Sequence, residues 1–306
     1  MGKVAFVFPG QGSQQVGMGR AAAEAEAGRD VFAQADAALG ESLSQLCFEG
    51  PEAELQLTAN AQPAILTASI AMLRVLDRTC DVTAGHSLGE YSANVAAGTL
   101  DFAAAVALVR KRGQYMQAAV PVGVGAMAAV LGADIETVER ICRDTSGVVS
   151  PVNYNCPGQL VIAGETDAVA RASAALAEAG AKVKALPVSA PFHCALMKPA
   201  EERLQVDLNA AAFRDPGLPI YVNVDAVSVS TAAAARQALI SQVSRPVRWQ
   251  QSVERMLADG VSLFVEIGPG KVLTNMIKRI AKEVERVSVE TPKDVEAARA
   301  AIAKHQ

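Results

Sequence analysis

Gly85-His86-Ser87-Leu88-Gly89-Glu90 is the stretch from which the fold of this chain is most readily interpreted. It fits G-x-S-x-G, a pattern in which a serine stands on a sharp turn between a strand and a helix, and the glycines supply the room that the turn needs. Residues 81–84 can form a short strand, and residues 91–97 are helical in pattern, with Gly98 placed to end the helix. The sequence therefore predicts a strand, a turn and a helix in the order that exposes a serine hydroxyl.

This turn suggests that Ser87 is a nucleophile. The amides that follow the serine lie at a helix N-terminus, where they can face developing negative charge. The pentapeptide alone does not separate this role from an ordinary loop, because glycine and serine are common residues. The strand before it and the helix after it favour the nucleophile.

Strands followed by helices recur along the chain, which is typical of an α/β fold with a parallel sheet. Residues 4–8 and 263–267 are apolar runs of the kind buried in such a sheet, and each precedes a glycine-containing loop. Pro63 suits the first turn of a helix, and Asp101 can cap another. The main helices are expected at residues 29–39, 52–57, 63–76, 101–119, 196–211, 232–243, 252–259 and 272–284.

Residues 122–189 show a different succession of predicted strands and helices. These predicted elements follow the order βαββαβ of a ferredoxin-like unit. They are a strand at 125–131, a helix at 135–143, a hairpin at 151–163, a helix at 168–179 and a strand at 182–188. We therefore predict a ferredoxin-like subdomain at 122–189, inserted into a catalytic core made of residues 1–121 and 190–306.

Composition limits the class of protein. The 306 residues are 51% hydrophobic and 20% charged, which describes a globular chain with a substantial core. The net charge of −4 argues against a nucleic-acid partner. No run reaches the roughly 18 apolar residues that a membrane span needs. Five widely spaced cysteines without a C-x-x-C pair suggest reduced thiols and no metal site, so we expect a soluble cytoplasmic protein.

A serine attacks an acyl carbon well only if a base accepts its proton, and histidine suits that task near neutral pH. The chain has three histidines. His305 is expected to fray, and His86 adjoins the serine inside the turn, where neighbouring side chains diverge. His193 is left as the base, although a lone histidine is more often a packed or surface residue. No carboxylate stands out as the orienting third member that such sites usually have.

Two arginines lie on the borders of the apolar face of the helix expected at 101–119. At about 100° per residue, Lys111 points opposite that face, whereas Arg110 and Arg112 flank it. Either arginine can reach a cleft, and the spacing does not choose between them. The loop at 9–15 lacks the glycine spacing of both nucleotide fingerprints, so we set nucleotide binding aside.

Six motifs follow one another along almost the whole chain: Phe8-Pro9-Gly10-Gln11-Gly12-Ser13-Gln14, Ala61-Gln62-Pro63-Ala64, Gly85-His86-Ser87-Leu88-Gly89-Glu90, Arg112-Gly113-Gln114-Tyr115-Met116-Gln117, His193-Cys194-Ala195-Leu196-Met197 and Glu266-Ile267-Gly268-Pro269-Gly270-Lys271-Val272-Leu273. In these motifs and their order, the sequence resembles the malonyl-CoA:acyl carrier protein transacylases of fatty-acid synthesis. That family has an α/β-hydrolase-like core with a ferredoxin-like insertion, which agrees with the order of elements above.

The resemblance implies roles for individual residues. Ser87 corresponds to the nucleophile and His193 to the base. The backbone carbonyl that orients the imidazole in this family, in place of an acid, corresponds to Gln242. The oxyanion hole corresponds to the backbone amides of Gln11 and Leu88.

The resemblance also chooses Arg112 over Arg110 as the partner of the substrate carboxylate. A guanidinium is a rigid two-pronged partner for a malonyl carboxylate, and burying it without its anion is costly, which selects malonyl over acetyl. The implied reaction is a ping-pong transfer of malonyl from malonyl-CoA to the phosphopantetheine thiol of acyl carrier protein through a malonyl-Ser87 intermediate. It supplies fatty-acid elongation, and the CoA thioester is a substrate, so no cofactor or metal is expected.

Two other functions stay open at this point. A serine thioesterase or other hydrolase would use the same turn and base, but would normally carry an acid partner and admit water. A non-catalytic carrier-protein-binding module would keep the fold without being acylated. Carrier proteins are typically acidic, so docking should use a local basic patch despite the net negative charge. Candidates for that patch are Arg110, Lys111, Arg245, Arg248, Lys271, Lys278 and Arg279.

Overall fold

A computed structural model describes residues 2–188 and 190–305. The predicted domain ends at Met1, Ser189 and Gln306 lie outside the described residues. The strands are β1 (Lys3–Phe8), β2 (Val82–Gly85), β3 (Gly125–Leu131), β4 (Val149–Cys156), β5 (Gln159–Glu165), β6 (Lys182–Ala185), β7 (Ile220–Tyr221), β8 (Ser228–Val229), β9 (Val261–Ile267) and β10 (Glu285–Val289). The α-helices are α1 (Glu26–Leu39), α2 (Leu43–Glu49), α3 (Glu52–Gln56), α4 (Thr58–Leu76), α5 (Gly89–Ala96), α6 (Phe102–Ala118), α7 (Ile135–Asp144), α8 (Thr166–Glu178), α9 (Lys198–Ala210), α10 (Ala232–Ser241), α11 (Trp249–Ala258), α12 (Val272–Ile280) and α13 (Val295–His305).

The larger sheet has the strand order β10-β9-β1-β2-β7-β8. Its neighbouring strands are parallel except for the antiparallel pair of β7 and β8 at one edge. Along β1, Val4, Phe6 and Phe8 pack into one hydrophobic core, and Ala5 and Val7 pack into another. Both faces of the sheet are therefore covered, which is why its strands are continuous apolar runs. The predicted α/β fold with a parallel sheet is confirmed.

The smaller sheet has the order β4-β5-β3-β6, and all its neighbours are antiparallel. Side chains of α7 and α8 pack with those of the strands into a core of their own, which includes Val130, Val138, Ile162 and Leu176. The βαββαβ succession in this strand order is the ferredoxin-like arrangement that the sequence predicts. The domain boundaries at 121/122 and 189/190 stay a prediction.

Backbone hydrogen bonds tie the smaller sheet to the core. Val247 donates to the carbonyl of Val152 at 2.8 Å and accepts from the N–H of Tyr154 at 2.9 Å. The next residue, Arg248, donates to the carbonyl of Asn223 at 2.9 Å. The segment at 247–248 therefore links β4 to the end of β7 in the larger sheet.

Two residues that the sequence assigns to helix starts behave differently in the structure. Helix α4 begins at Thr58, so Pro63 lies inside it and not in the first turn. Pro63 has no N–H to donate to the helix, but every residue from 61 to 72 is buried, and this packing determines where the helix runs. Asp101 does precede α6, but its exposed side chain makes no capping hydrogen bond.

Candidate active site

The turn between β2 and α5 holds Ser87 in a left-handed conformation, with φ at 50°. The two glycines of the motif make the turn possible. A Cβ on Gly85 would lie 1.9 Å from the backbone carbon of Gly89, and a Cβ on Gly89 would lie 2.0 Å from the carbonyl oxygen of Phe8. No side chain fits at those distances. The serine consequently stands at the carboxyl end of β2, beside the end of β1, in the predicted strand, turn and helix.

His193 and Gln242 complete a chain of hydrogen bonds that starts at the serine. Ser87 Oγ lies 2.7 Å from His193 Nε2, and His193 Nδ1 lies 2.7 Å from the carbonyl oxygen of Gln242. A carbonyl oxygen can only accept, so Nδ1 carries the proton and Nε2 of the neutral ring accepts from the serine hydroxyl. The carbonyl thus takes the position that an acid occupies in a Ser-His-Asp triad.

The environment of His193 keeps its imidazole neutral. Burial and, to a smaller extent, the positive charge of Arg112 lower the pKa of His193 to about 3, and the hydrogen bond to Gln242 opposes both effects. His193, like Ser87, has a left-handed backbone, with φ at 62°. A neutral imidazole held beside a hydroxyl is ready to accept its proton.

Arg112 is buried beside the nucleophile, with 1% of its surface exposed. Its guanidinium donates to Gln62 Oε1 at 2.7 Å, to Gln242 Oε1 at 2.9 Å and to Ser87 Oγ at 3.1 Å. It also lies 5.6 Å from the centre of the Tyr91 ring. These contacts are all with neutral groups, so the guanidinium is able to pair with an anion.

The other arginine of the pair lies elsewhere. Arg110 bonds to Asn60 and forms an ion pair with Glu41, whose side chain is half exposed. Of the two arginines that helical spacing leaves open, the structure brings only Arg112 to Ser87.

Gln11 and Leu88 flank the serine turn. Leu88 directly precedes α5, so its N–H belongs to the helix N-terminus, where amides lack intrahelical partners. Gln11 lies in the loop after β1, and this loop packs so closely on the turn that a Cβ on Gly10 would lie 2.4 Å from the carbonyl oxygen of His86. Gln11 lies in the wall of the same cavity as Ser87, and the oxyanion-hole role of the two amides stays a prediction.

A cavity of about 690 Å³ opens over these groups. This volume is within the range of about 300–1,000 Å³ that is usual for small-molecule sites. Ser87, His193 and Arg112 lie in its wall together with side chains from both the core and the smaller sheet. The apolar part of the wall includes Leu57, Met116, Met127, Leu186, Val188 and Phe192.

Three buried polar residues of the site received no role from sequence reasoning: Gln62, Glu90 and Asn223, each with 0% of its surface exposed. Asn223 Oδ1 accepts from the N–H of Ser87 at 2.7 Å, and its Nδ2 donates to the carbonyl of Gly85 at 2.7 Å. Glu90 Oε2 accepts from the N–H of Asn223 at 2.8 Å. A single polar residue within an apolar run is the sequence pattern that indicates such a buried position. Asn223, which lies between two valines, is an example.

The two remaining histidines lie away from the Ser87 hydroxyl. His86 Nε2 bonds to Asn155 Oδ1 at 2.9 Å, so it diverges from the serine as expected. The expectation that His305 frays is wrong, because its ring bonds to Ser262 at 2.6 Å and to Glu285 at 3.0 Å. These contacts fix the end of α13.

The predicted basic patch for a carrier protein stays a prediction. Several of its candidates are engaged within the chain: Arg110 with Glu41, Lys111 with Asp207, Arg245 with Asp225, and Arg279 with Gln159.

Within residues 2–188 and 190–305, no group of three or more His, Cys, Asp and Glu side chains is arranged to hold a metal ion. In the same part of the chain, every helix is too short or too polar to cross a membrane. All five cysteines are free thiols.

Comparison with known proteins gives a consistent result. A family model described as "Acyl transferase domain" matches residues 5–297. The malonyl CoA-acyl carrier protein transacylase of Escherichia coli (strain K12) is 49% identical over 306 residues, which cover 97% of this chain and 99% of that protein.

Two solved structures are similar along nearly their whole length. An acyl carrier protein S-malonyltransferase from Vibrio cholerae has a TM-score of 0.95 at 48% identity and covers 97% of this chain and 99% of its own. A malonyl-transacylase in complex with a type II PKS acyl-carrier protein has a TM-score of 0.94 at 46% identity, with coverage of 97% and 98%.

The fold, the site and these matches define an acyltransferase. Its similarity to the bacterial enzymes extends through both sheets. The chain belongs to the acyl transferase domain family and, within it, to the malonyl CoA-acyl carrier protein transacylases.

Proposed function

We propose that this protein transfers a malonyl group from malonyl-CoA to the phosphopantetheine thiol of acyl carrier protein, and so supplies malonyl-acyl carrier protein for fatty-acid elongation. The observation that carries the proposal is the hydrogen-bonded set of Ser87, His193 and Arg112 in one cavity. These three side chains supply a nucleophile, a base and a partner for an anionic acyl group.

In the first half of the reaction, Ser87 Oγ attacks the thioester carbonyl while His193 Nε2 takes the hydroxyl proton. The backbone amides of Gln11 and Leu88 stabilise the oxyanion of the tetrahedral intermediate. The carbon–sulfur bond then breaks, and the CoA sulfur leaves with the proton from His193. In the second half the thiol of the carrier protein repeats these steps in reverse on malonyl-Ser87, which gives ping-pong kinetics.

Arg112 has two effects in this scheme. Its pairing with the malonyl carboxylate positions the acyl group beside Ser87. In the empty site its charge also contributes to lowering the pKa of His193. A bound carboxylate offsets that charge, so the imidazole becomes a stronger base when the acyl group is anionic. An acetyl group provides neither effect.

The test is intact-protein mass spectrometry after incubation with malonyl-CoA. The wild-type protein should gain one malonyl group, and holo-acyl carrier protein should remove it. Ser87→Ala should gain none. Transfer by Ser87→Ala at near the wild-type rate would show that the serine assignment is wrong.

The same experiment separates the alternative functions. A thioesterase would lose the adduct to water without any carrier protein, and a non-catalytic module would form no adduct. A malonyl-serine that is stable in water and is discharged by the carrier thiol is the outcome expected of a transferase.

We also propose that the protein works in the cytoplasm and uses no cofactor. Five free cysteines fit a reducing compartment. The acyl transfer described above uses only side chains and amides of the chain, with CoA as the leaving group of the substrate.

A further inference from the structure

Arg112 carries a buried charge without a directly bonded carboxylate. Its three hydrogen-bond acceptors are neutral, and in the described residues no acidic side chain forms an ion pair with it. A buried charge of this kind needs compensation. The guanidinium donates to Gln242 Oε1 at 2.9 Å, and Gln242 Nε2 donates to Glu90 Oε2 at 2.9 Å. One amide therefore bridges the guanidinium and a carboxylate.

Glu90 is itself poorly compensated. It is fully buried, and its Oε2 accepts from the N–H of Asn223 at 2.8 Å and from Gln242. Its Oε1 has no hydrogen-bond partner in the described part of the chain. The charged and titratable groups that act on it are Arg112 on α6, Asp225 after β7 and Tyr91 on its own helix.

Opposing effects act on the pKa of the Glu90 carboxyl. Burial, with a smaller contribution from Asp225, raises the pKa of Glu90 to about 7, although the bonds from Asn223 and Gln242 and the charge of Arg112 oppose the rise. The group therefore changes charge close to neutral pH.

We propose that Glu90, acting through Gln242, is the internal counter-ion of Arg112 in the empty site, and that binding of a substrate carboxylate to Arg112 is coupled to uptake of one proton by Glu90. This inference rests on the proposed function, because the carboxylate is that of the malonyl group. Glu90 touches no substrate and is a positioning residue.

The reason for this coupling is the balance of charge in the buried site. In the empty site one guanidinium and one ionised carboxyl sum to zero. A bound malonyl carboxylate would make the buried sum −1, and like charges in a desolvated site disfavour ionisation. A proton taken from solvent onto the Glu90 carboxyl restores the sum to zero. An acetyl group adds no charge, so its binding leaves Glu90 unchanged.

The coupling predicts that malonyl affinity falls as pH rises, because above its pKa Glu90 must gain a proton for each malonyl bound. For a pKa near 7, the malonyl affinity relative to the acetyl affinity should fall about tenfold between pH 7 and pH 8.5. The comparison with acetyl-CoA removes the titration of the CoA moiety, which both ligands share.

The experiment is isothermal titration calorimetry of Ser87→Ala, which cannot be acylated, with malonyl-CoA and with acetyl-CoA at pH 8. Buffers with different ionisation enthalpies give the number of protons taken up. Malonyl-CoA binding should take up between about half a proton and one proton more than acetyl-CoA binding.

The double variant Ser87→Ala, Glu90→Gln tests the residue. Glutamine keeps the shape and an acceptor oxygen for Asn223 and Gln242. The extra proton uptake should disappear, and malonyl affinity at pH 8.5 should rise about 20-fold to the value seen at low pH. The matched control in the same background is Glu266→Gln, a buried carboxyl that bonds to the N–H groups of Leu273 and Thr274. The Glu266→Gln control should keep the extra proton uptake with malonyl-CoA.

Equal proton uptake with malonyl-CoA and acetyl-CoA in Ser87→Ala would overturn the proposal, and this measurement does not depend on whether a Glu90 variant folds. Uptake that persists in Glu90→Gln would also overturn it. A preference for malonyl-CoA without the extra uptake would refute this inference alone. If Ser87→Ala bound malonyl-CoA no better than acetyl-CoA, the proposed function would fail as well.

Discussion

Ser87 and His193, the two residues that we propose do the chemistry, both have left-handed backbones. Such conformations cost about 1–3 kcal/mol each for residues other than glycine, and they persist only where the surroundings fix them. Asn223 supplies part of this restraint, since its amide bonds to the N–H of Ser87 and to the carbonyl of Gly85. The geometry of the serine turn therefore depends on a side chain 136 residues later in the chain.

Arg112→Ala should lower kcat/KM for malonyl-CoA about 100-fold or more, which corresponds to roughly 3 kcal/mol, because the substrate carboxylate loses its buried partner. The value for acetyl-CoA should fall much less. Arg110→Ala is the control, since that arginine bonds to Asn60 and Glu41, and it should change both values less than about threefold. Equal losses with both substrates in Arg112→Ala would indicate a structural arginine instead.

The base should stay active in mild acid. The folded protein lowers the pKa of His193, so the imidazole is neutral well below the usual value of 6.5. We expect kcat/KM for acetyl-CoA, which does not involve proton uptake by Glu90, to hold from pH 7.5 down to about pH 5. Initial rates measured with acetyl-CoA across this pH range give the dependence of kcat/KM on pH. A decline with a midpoint near pH 6.5 would contradict the assigned environment of His193.

At the scale of elements, helices α4 and α6 approach each other closely at Gly113. A Cβ on Gly113 would lie 2.6 Å from the carbonyl oxygen of Thr58 and 2.7 Å from Cα of Ala59. Helix α4 carries Gln62 and helix α6 carries Arg112, which bond to each other at 2.7 Å. The glycine thus sets the helix spacing that holds the guanidinium in place.

Gly113→Ala should destabilise the protein, although alanine normally stabilises a helix interior by roughly 0.5–1 kcal/mol relative to glycine. The methyl group would push α6 from α4 at a cost of about 1–3 kcal/mol and displace Arg112. Thermal unfolding should show a lower Tm, and the preference for malonyl-CoA over acetyl-CoA should shrink.

Gly217→Ala is the control for that change, because its Cβ would meet nothing closer than the carbonyl oxygen of Ala97 at 3.4 Å. Its Tm and substrate preference should stay close to those of the wild-type protein. An unchanged Tm in Gly113→Ala would mean that the two helices can separate freely.

At the scale of the whole molecule, the cavity is enclosed by parts of both sheets. Met127 of β3 and Asn153 of β4 contribute to its wall, as do Ser87 and His193. Besides the backbone bonds at Val247, a side-chain bond joins the sheets directly at the active site, from His86 in the serine turn to Asn155 in β4. The position of the smaller sheet thus contributes to the geometry of the serine turn.

Asn155→Ala should lower the free energy of unfolding by about 1–3 kcal/mol, because the partly buried N–H of His86 loses its acceptor. The malonyl transfer rate should fall as the turn loosens. Denaturant unfolding and steady-state kinetics check the two effects. Asn209→Ala, at an exposed position in α9, should change stability by less than about 0.5 kcal/mol. If Asn155→Ala matched this control in stability, the side-chain bond would not contribute to joining the sheets.

Local patterns in the sequence predict most of the secondary structure, because apolar spacing and turn residues act over a few neighbours. The strand, turn and helix around Ser87 and the βαββαβ order are of this kind. The prediction for Pro63 was wrong because the packing of α4 outweighs the preference of proline for a first turn. His305 was expected to fray, but contacts with Ser262 and Glu285, distant in sequence, hold it.

The sequence by itself determined the serine turn, the order of elements and, by elimination among three histidines, the candidate base. Spacing on α6 left Arg110 and Arg112 equal, and only the resemblance chose between them. The tertiary structure decided what surrounds Arg112, namely Gln62 and the relay through Gln242 to Glu90. Helical periodicity fixes the direction of a side chain but not the element that packs against it, and these bonds join residues 50 to 152 positions apart.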